Sequence, residues 1–167
     1  MNSRLSRMIL AMCVFGVDRV TKMWIDAKVG PWDVLPVIPG FFNIIHSENR
    51  GMAFSLLADA PESVRSLVLV GISGAVLLFV AVMLWQAGRG LERLALTLVM
   101  GGAMGNLWDR IFRGSVTDFL DFYIGEYHWA TFNVADSAIT IGAILLAWEM
   151  LRSRRPAPST PQGKAVS

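Results

Sequence analysis

Two short segments carry the side chains best suited to acid–base chemistry. Val116-Thr117-Asp118-Phe119-Leu120-Asp121-Phe122 sets carboxylates among large apolar residues, and Asn133-Val134-Ala135-Asp136 places another at a helix start. Burial among apolar neighbours raises a carboxylate's pKa, and two carboxylates held close together share one proton. One of the pair then takes a proton from water while the other gives a proton to a carbonyl. That is hydrolysis by an aspartic pair, and it needs no metal and no covalent intermediate. Taken singly, each residue also has an ordinary reading. Asn133 is a good N-cap, and an acid three residues later favours a helix start. Asp118 alone passes for a loop carboxylate.

Other chemistries are poorly supplied. His46 and His128 are far apart in the sequence and show no HExxH spacing, so neither a zinc site nor any other metal or cofactor is expected. Ser47, Ser55 and Lys22 leave Ser/Lys catalysis open, although no GxSxG frames a serine. Gly101-Gly102-Ala103-Met104-Gly105 lies inside an apolar run, where small residues permit close helix packing rather than phosphate binding. The single cysteine, Cys13, reads as a small apolar helix residue. The preceding Leu10-Ala11-Met12 makes a poor lipobox, because Met12 is bulky and the apolar stretch before it is too short for a signal peptide.

The elements that must position these acids are membrane helices. The 167 residues are 54% hydrophobic and 17% charged, where a soluble domain is about a quarter charged. A net charge of +2 gives no nucleic-acid footprint. Leu67 to Trp85 is an uncharged run of 19 residues, about 28 Å as a helix and close to a bilayer's hydrocarbon thickness. Four spans are expected, roughly 5–24, 64–86, 91–112 and 134–151, within a domain of residues 1–155. The Pro- and Ser-rich stretch 156–167 is expected to be a disordered tail. Arg4 and Arg7, Arg89 and Arg93, and Arg152, Arg154 and Arg155 fall at alternate span ends, so both termini are expected on the cytoplasmic side. Two outer loops follow. The first, 26–62, holds short β-branched and aromatic runs between Pro and Gly, which predicts a small strand-rich subdomain. The expected fold is thus an all-α membrane protein of four transmembrane helices, with strands confined to that first loop.

Three spans carry acids at one depth. Asp18 is 14 residues past Arg4, Asp109 is 16 past Arg93, and Asp136 is 16 before Arg152. Each is therefore about 21–24 Å from its cytoplasmic marker. Asp18, Arg19, Lys22, Asn106, Asp109, Arg110, Asn133 and Asp136 crowd one layer, with Asp118 just above it. Ionisable groups within a bilayer cost about 2.5–3.5 kcal/mol each and persist when they pair, face a wet cavity or do chemistry. Asp18 and Lys22 could be only an i,i+4 ion pair, and Asp109 with Arg110 only an interfacial anchor. A proton-relaying carrier is the rival from another class, but a relay needs polar groups at several depths.

These segments resemble bacterial lipoprotein signal peptidase (signal peptidase II). The resemblance rests on Asp18-Arg19-Val20-Thr21-Lys22, Asn49-Arg50-Gly51-Met52-Ala53-Phe54, Gly101 to Arg110, Val116 to Phe119 and Phe132 to Ser137, in that order. It implies that Asp118 and Asp136 are a catalytic dyad. It implies that Asp18, Lys22, Asn49, Gly51, Asn106, Arg110, Asn133 and Ala135 shape or support the site. The implied substrate is a diacylglyceryl-modified prolipoprotein, cut just before its lipidated cysteine. The implied setting is the inner membrane with the site on the periplasmic side, lipid as neighbour, no nucleic acid, sensitivity to a globomycin-type inhibitor, and a monomer. Arg19, Arg50 and Met52 depart from the family's usual residues but leave the dyad intact.

Overall fold

The computed structural model describes residues 4–51, 61–88 and 90–153. The expectations for Met52, Ala53, Phe54, Ser55, Arg89, Arg154, Arg155 and the tail 156–167 lie outside them. Four helices dominate: α1 (Arg4–Lys28), α2 (Glu62–Gln86), α3 (Gly90–Arg113) and α4 (Val134–Ser153). Their 20 to 25 residues make rods of roughly 30–37 Å. α1 continues past the expected Trp24 because Ile25, together with Val29 just beyond the helix, is buried against Phe119.

α3 is the central helix and packs against the other three. Its glycines explain how closely. A β-carbon at Gly101 would lie 2.7 Å from the Ala11 carbonyl oxygen of α1, and one at Gly102 would strike the Ala135 carbonyl of α4. Gly142 of α4 returns the approach, 2.6 Å from the Ala95 carbonyl oxygen. The Gly-rich run is thus a helix-packing surface, as its apolar context predicts.

Burial is reversed relative to a water-soluble domain. Asp18, Lys22, Thr97, Asn106 and Asp109 are buried between helices, while Leu67, Leu78, Phe79, Trp85 and Trp148 are exposed. A hydrocarbon solvent selects that arrangement, since polar groups must find partners inside the protein. α2 and residues 134–152 of α4 are each long and apolar enough to cross a membrane. α1 and α3 carry more charge, and of it Asp18, Lys22 and Asp109 are buried between helices.

A four-stranded antiparallel sheet caps one end of the bundle. β1 (Val34–Ile38) and β2 (Phe42–Asn49) come from the first loop, while β3 (Val116–Ile124) and β4 (Tyr127–His128) come from the second. The strands are therefore not confined to the first loop. The segment holding Asp118, expected as loop, is the longest strand. Its first four residues are all buried, so no apolar/polar alternation advertised it. β1 is a fully exposed edge strand that tolerates Pro36. The β2–β3 ladder pairs Ile44 with Leu120 but Ser47 with Asp118, so β2 carries one extra residue there. Such a bulge bends its strand and re-aims the side chains that follow.

Candidate active site

Asn133 connects the two acids proposed from sequence. Its side-chain oxygen accepts the Asp136 amide hydrogen (2.9 Å), and its own amide faces Asp136 Oδ2 at 3.3 Å. This is a reciprocal capping box at the start of α4, so the ordinary reading of both residues is correct. The remaining atoms do more. Asn133 Nδ2 donates to Asp118 Oδ1 (2.7 Å) and to Asn106 Oδ1 (3.3 Å). Asn106 Nδ2 donates to Asp136 Oδ1 (2.7 Å). The two carboxylates are thus held by a pair of amides that also touch each other. Asp118 takes a further hydrogen bond from Asn49 Nδ2 (3.0 Å), and Asn49 Oδ1 accepts from the Gly51 amide (2.9 Å). Gly51 has φ +80°, and a β-carbon there would lie 2.6 Å from Leu69. Only glycine meets both demands without strain.

Beneath this pair lies a buried charge cluster. Lys22 Nζ is 2.9 Å from Asp18 Oδ2, 2.8 Å from Asp109 Oδ2 and 3.0 Å from Asn106 Oδ1. An ammonium has three donors, and each has one oxygen. Lys22, Asp18 and Asp109 are fully buried, so they are stable only as a group. Arg19 pairs with the second oxygen of Asp109, which balances two buried anions with two cations. Asp18 Oδ1 accepts the Ala135 amide of α4 (2.9 Å). Gly105 makes room for that carboxylate, since a β-carbon there would strike Asp18. The cluster fixes Asn106 from below, and Asn106 then fixes Asp136.

Asp118 lies on β3 with 2% of its surface exposed. Burial pushes its carboxyl well above the usual carboxylate range, to about 6, and the negative charge of Asp136 adds to the rise. Hydrogen bonds from Asn49 and Asn133 and the charge of Lys22 pull the other way. The Asp118 carboxyl therefore keeps its proton to a higher pH than an ordinary aspartate does.

An apolar cleft of about 250 Å³ opens beside Asp136 between α2, α3 and α4. Leu69, Ile72 and Val76 of α2 and Ile139 of α4 line it, and Arg110 stands with Asp136 at its polar end. Arg110 is thus on the cleft wall rather than a plain interfacial anchor. Asp109 turns inward.

All ten residues singled out from sequence fall in this one region. Several partners were not foreseen. His46 and His128, isolated in sequence, each face a carboxylate: Asp26 at 3.4 Å and Asp121 at 2.8 Å. Asp121 also accepts from Asn43 (3.0 Å). No sequence spacing links these pairs: Asp26 reaches His46 from the last turn of α1, and the β3–β4 pairing sets His128 against Asp121. Lys22 has all its donors engaged, which removes it as a free base for a serine. Among the described residues no group of three or more His, Cys, Asp or Glu could hold a metal ion.

Comparison with known proteins gives the family. A family model described as signal peptidase (SPase) II matches residues 10–152. The lipoprotein signal peptidase of Solibacter usitatus (strain Ellin6076) is 50% identical over 151 residues, covering 89% of this chain and 92% of the relative. That of Geobacter sulfurreducens (strain ATCC 51573 / DSM 12127 / PCA) is 43% identical over 143 residues, covering 85% and 89%. A bacterial membrane enzyme solved by the in meso method at 2.3 Å superposes with TM-score 0.79 at 30% identity, covering 98% of this chain and 96% of that one. The chain belongs to the signal peptidase II family of peptidases.

Proposed function

We propose that this chain is an aspartic endopeptidase that removes signal peptides from diacylglyceryl-modified prolipoproteins, cutting before the lipidated cysteine. The observation that carries the reading is the pair of carboxylates, Asp118 and Asp136, joined through Asn133 and Asn106, with Asp136 and Asn106 on the wall of an apolar cleft. In the reaction one carboxylate accepts a proton from the attacking water while the other donates its proton to the scissile carbonyl. Asn133 and Asn106 keep the acceptor oxygens aimed. Arg110, at the polar end of the cleft, offers charge to the substrate backbone.

The substrate fits the placement. Each buried CH₂ of an acyl chain is worth about 0.8 kcal/mol, so a diacylated cysteine stays in the bilayer and its scissile bond stays near the interface. Four membrane spans support a dyad at that depth. Arg4 lies over the Trp85 ring (4.4 Å), and Arg7 donates to the Leu84 carbonyl (3.2 Å), so the start of α1 and the end of α2 share a side. Exposed Trp85 and Trp148 near one end and Trp24, Trp32 and Trp129 near the other form two aromatic belts. The basic residues mark the first side as cytoplasmic. The sheet and the dyad then face the periplasm from the inner membrane, with both termini inside. The chain acts as a monomer without a metal, and a globomycin-type inhibitor occupies the same cleft.

The test uses purified chain in detergent with a diacylated and an unlipidated lipobox peptide. Wild type cuts the first before its cysteine and not the second, and Asp118→Asn and Asp136→Asn cut neither. Wild-type rates in either mutant would refute the dyad.

A further inference from the structure

β3 carries Asp118, and β3 is gripped from its other face by side chains that the proposed reaction does not use. Thr117 adjoins Asp118, and successive strand residues point to opposite faces. Its hydroxyl therefore points away from the carboxylate pair. Thr117 is 1% exposed, and its Oγ1 lies 3.0 Å from Arg113 Nη1 and 3.3 Å from Asp26 Oδ1. The same Arg113 nitrogen is 2.5 Å from Asp26 Oδ2. Asp26 Oδ1 also faces His46 Nε2 at 3.4 Å, while His46 Nδ1 donates to the Val29 carbonyl oxygen at 2.9 Å. One strap of four side chains thus joins the ends of α1 and α3 to strands β2 and β3.

The strap meets the sheet where the β2–β3 register changes. Ser47 pairs with Asp118, and the irregularity lies between Ile44 and Ser47. His46 lies in that interval and Thr117 is next to Asp118, so the two strand contacts flank the Ser47–Asp118 pair. Beyond the bulge, β2 delivers Asn49 to Asp118. A bulged strand has lost a ladder contact, and its register needs another restraint. We propose that Asp26, His46, Arg113 and Thr117 are positioning residues that pin this bulge and so aim Asn49 and Asp118 for the reaction. This rests on the peptidase reading above. Asp26 and Arg113 have side chains about a quarter exposed, at 26% and 28%. A partly exposed ion pair adds little to folding stability, so its value appears in rate.

The test measures kcat, KM and thermal unfolding of the full chain in detergent on the diacylated peptide. It compares wild type, Asp118→Asn, Thr117→Val, Thr117→Ser, Arg113→Met and the Thr117→Val/Arg113→Met double mutant. Thr117→Val keeps the shape and removes the hydroxyl. It lowers kcat about tenfold or more, as sub-ångström misplacement of a reacting group does, with KM and unfolding temperature nearly unchanged. Thr117→Ser restores the rate. The double mutant loses no more than the worse single mutant, because both break one strap. Wild-type kcat in Thr117→Val, failure of Thr117→Ser to rescue, or additive losses would overturn the strap. A wild type that does not cut the diacylated peptide would instead overturn the peptidase reading.

Discussion

Replacing Asn49 by alanine tests the electrostatics of Asp118 directly. Asn49 Nδ2 donates to Asp118 Oδ2 over 3.0 Å, and this bond does most to hold the carboxyl down against burial. An amide hydrogen bond to a carboxylate contributes about 1.5 kcal/mol to the charged form, and 1.36 kcal/mol is one pKa unit. Losing it moves Asp118 upward from about 6 by roughly one unit. In the proposed mechanism the active dyad holds one proton, and the raised carboxyl is the one that loses it last. The alkaline limb of kcat/KM against pH therefore shifts to higher pH by roughly one unit in Asn49→Ala, while the maximum rate falls. The assay is a pH series of initial rates on the diacylated peptide in a mixed buffer of constant ionic strength. An alkaline limb that stays put, or moves to lower pH, would refute this account of Asp118.

Asp118 also imposes a pH dependence on folding. Its folded pKa is raised from 3.8 to about 6, so the folded state binds more protons than the unfolded state between those values. Its contribution to stability is full below pH 4 and is lost as pH rises through about 6, with a span of about 3 kcal/mol. Asp118→Asn flattens that decline in denaturation experiments across pH 4–7. Lys22→Met leaves Asp18 and Asp109 buried with Arg19 as their remaining cation, which costs about 3–5 kcal/mol and appears as a large drop in unfolding temperature. Gly51→Ala forces a side chain into a left-handed backbone at about 1–2 kcal/mol and pushes Leu69 into the cleft. Steady-state kinetics should show KM raised more than kcat is lowered.

The sequence was most informative where one physical rule acted alone. Hydrocarbon demands long apolar runs, so the helix limits were readable to within a few residues. It also makes buried charge expensive, so the spacing of Asp18, Lys22, Asp109 and Asp136 from the basic span ends betrays a common layer. Capping chemistry placed Asn133 and Asp136 at the start of α4. The strand under Asp118 was not legible, because both of its faces are covered and the period-two signal vanishes. The His46–Asp26 and His128–Asp121 pairs were hidden for another reason. Their partners are 20 and 7 residues away in sequence: the end of α1 lying against β2 brings Asp26 to His46, and the β3–β4 pairing brings Asp121 to His128. Arg19 was visible only as a member of the polar layer, and its service to Asp109 needed the packing of α1 on α3.

Asn133 has a consequence for biogenesis. Its side chain begins the last helix and also grips a carboxylate of β3. The first helix contributes Lys22, the third Asn106 and the fourth Asp136, so no fragment emerging from the ribosome contains a working pair of acids. On the proposed mechanism, hydrolytic competence arrives only when the final helix is wound and docked. A nascent protease of this design is silent toward its neighbours throughout synthesis and insertion.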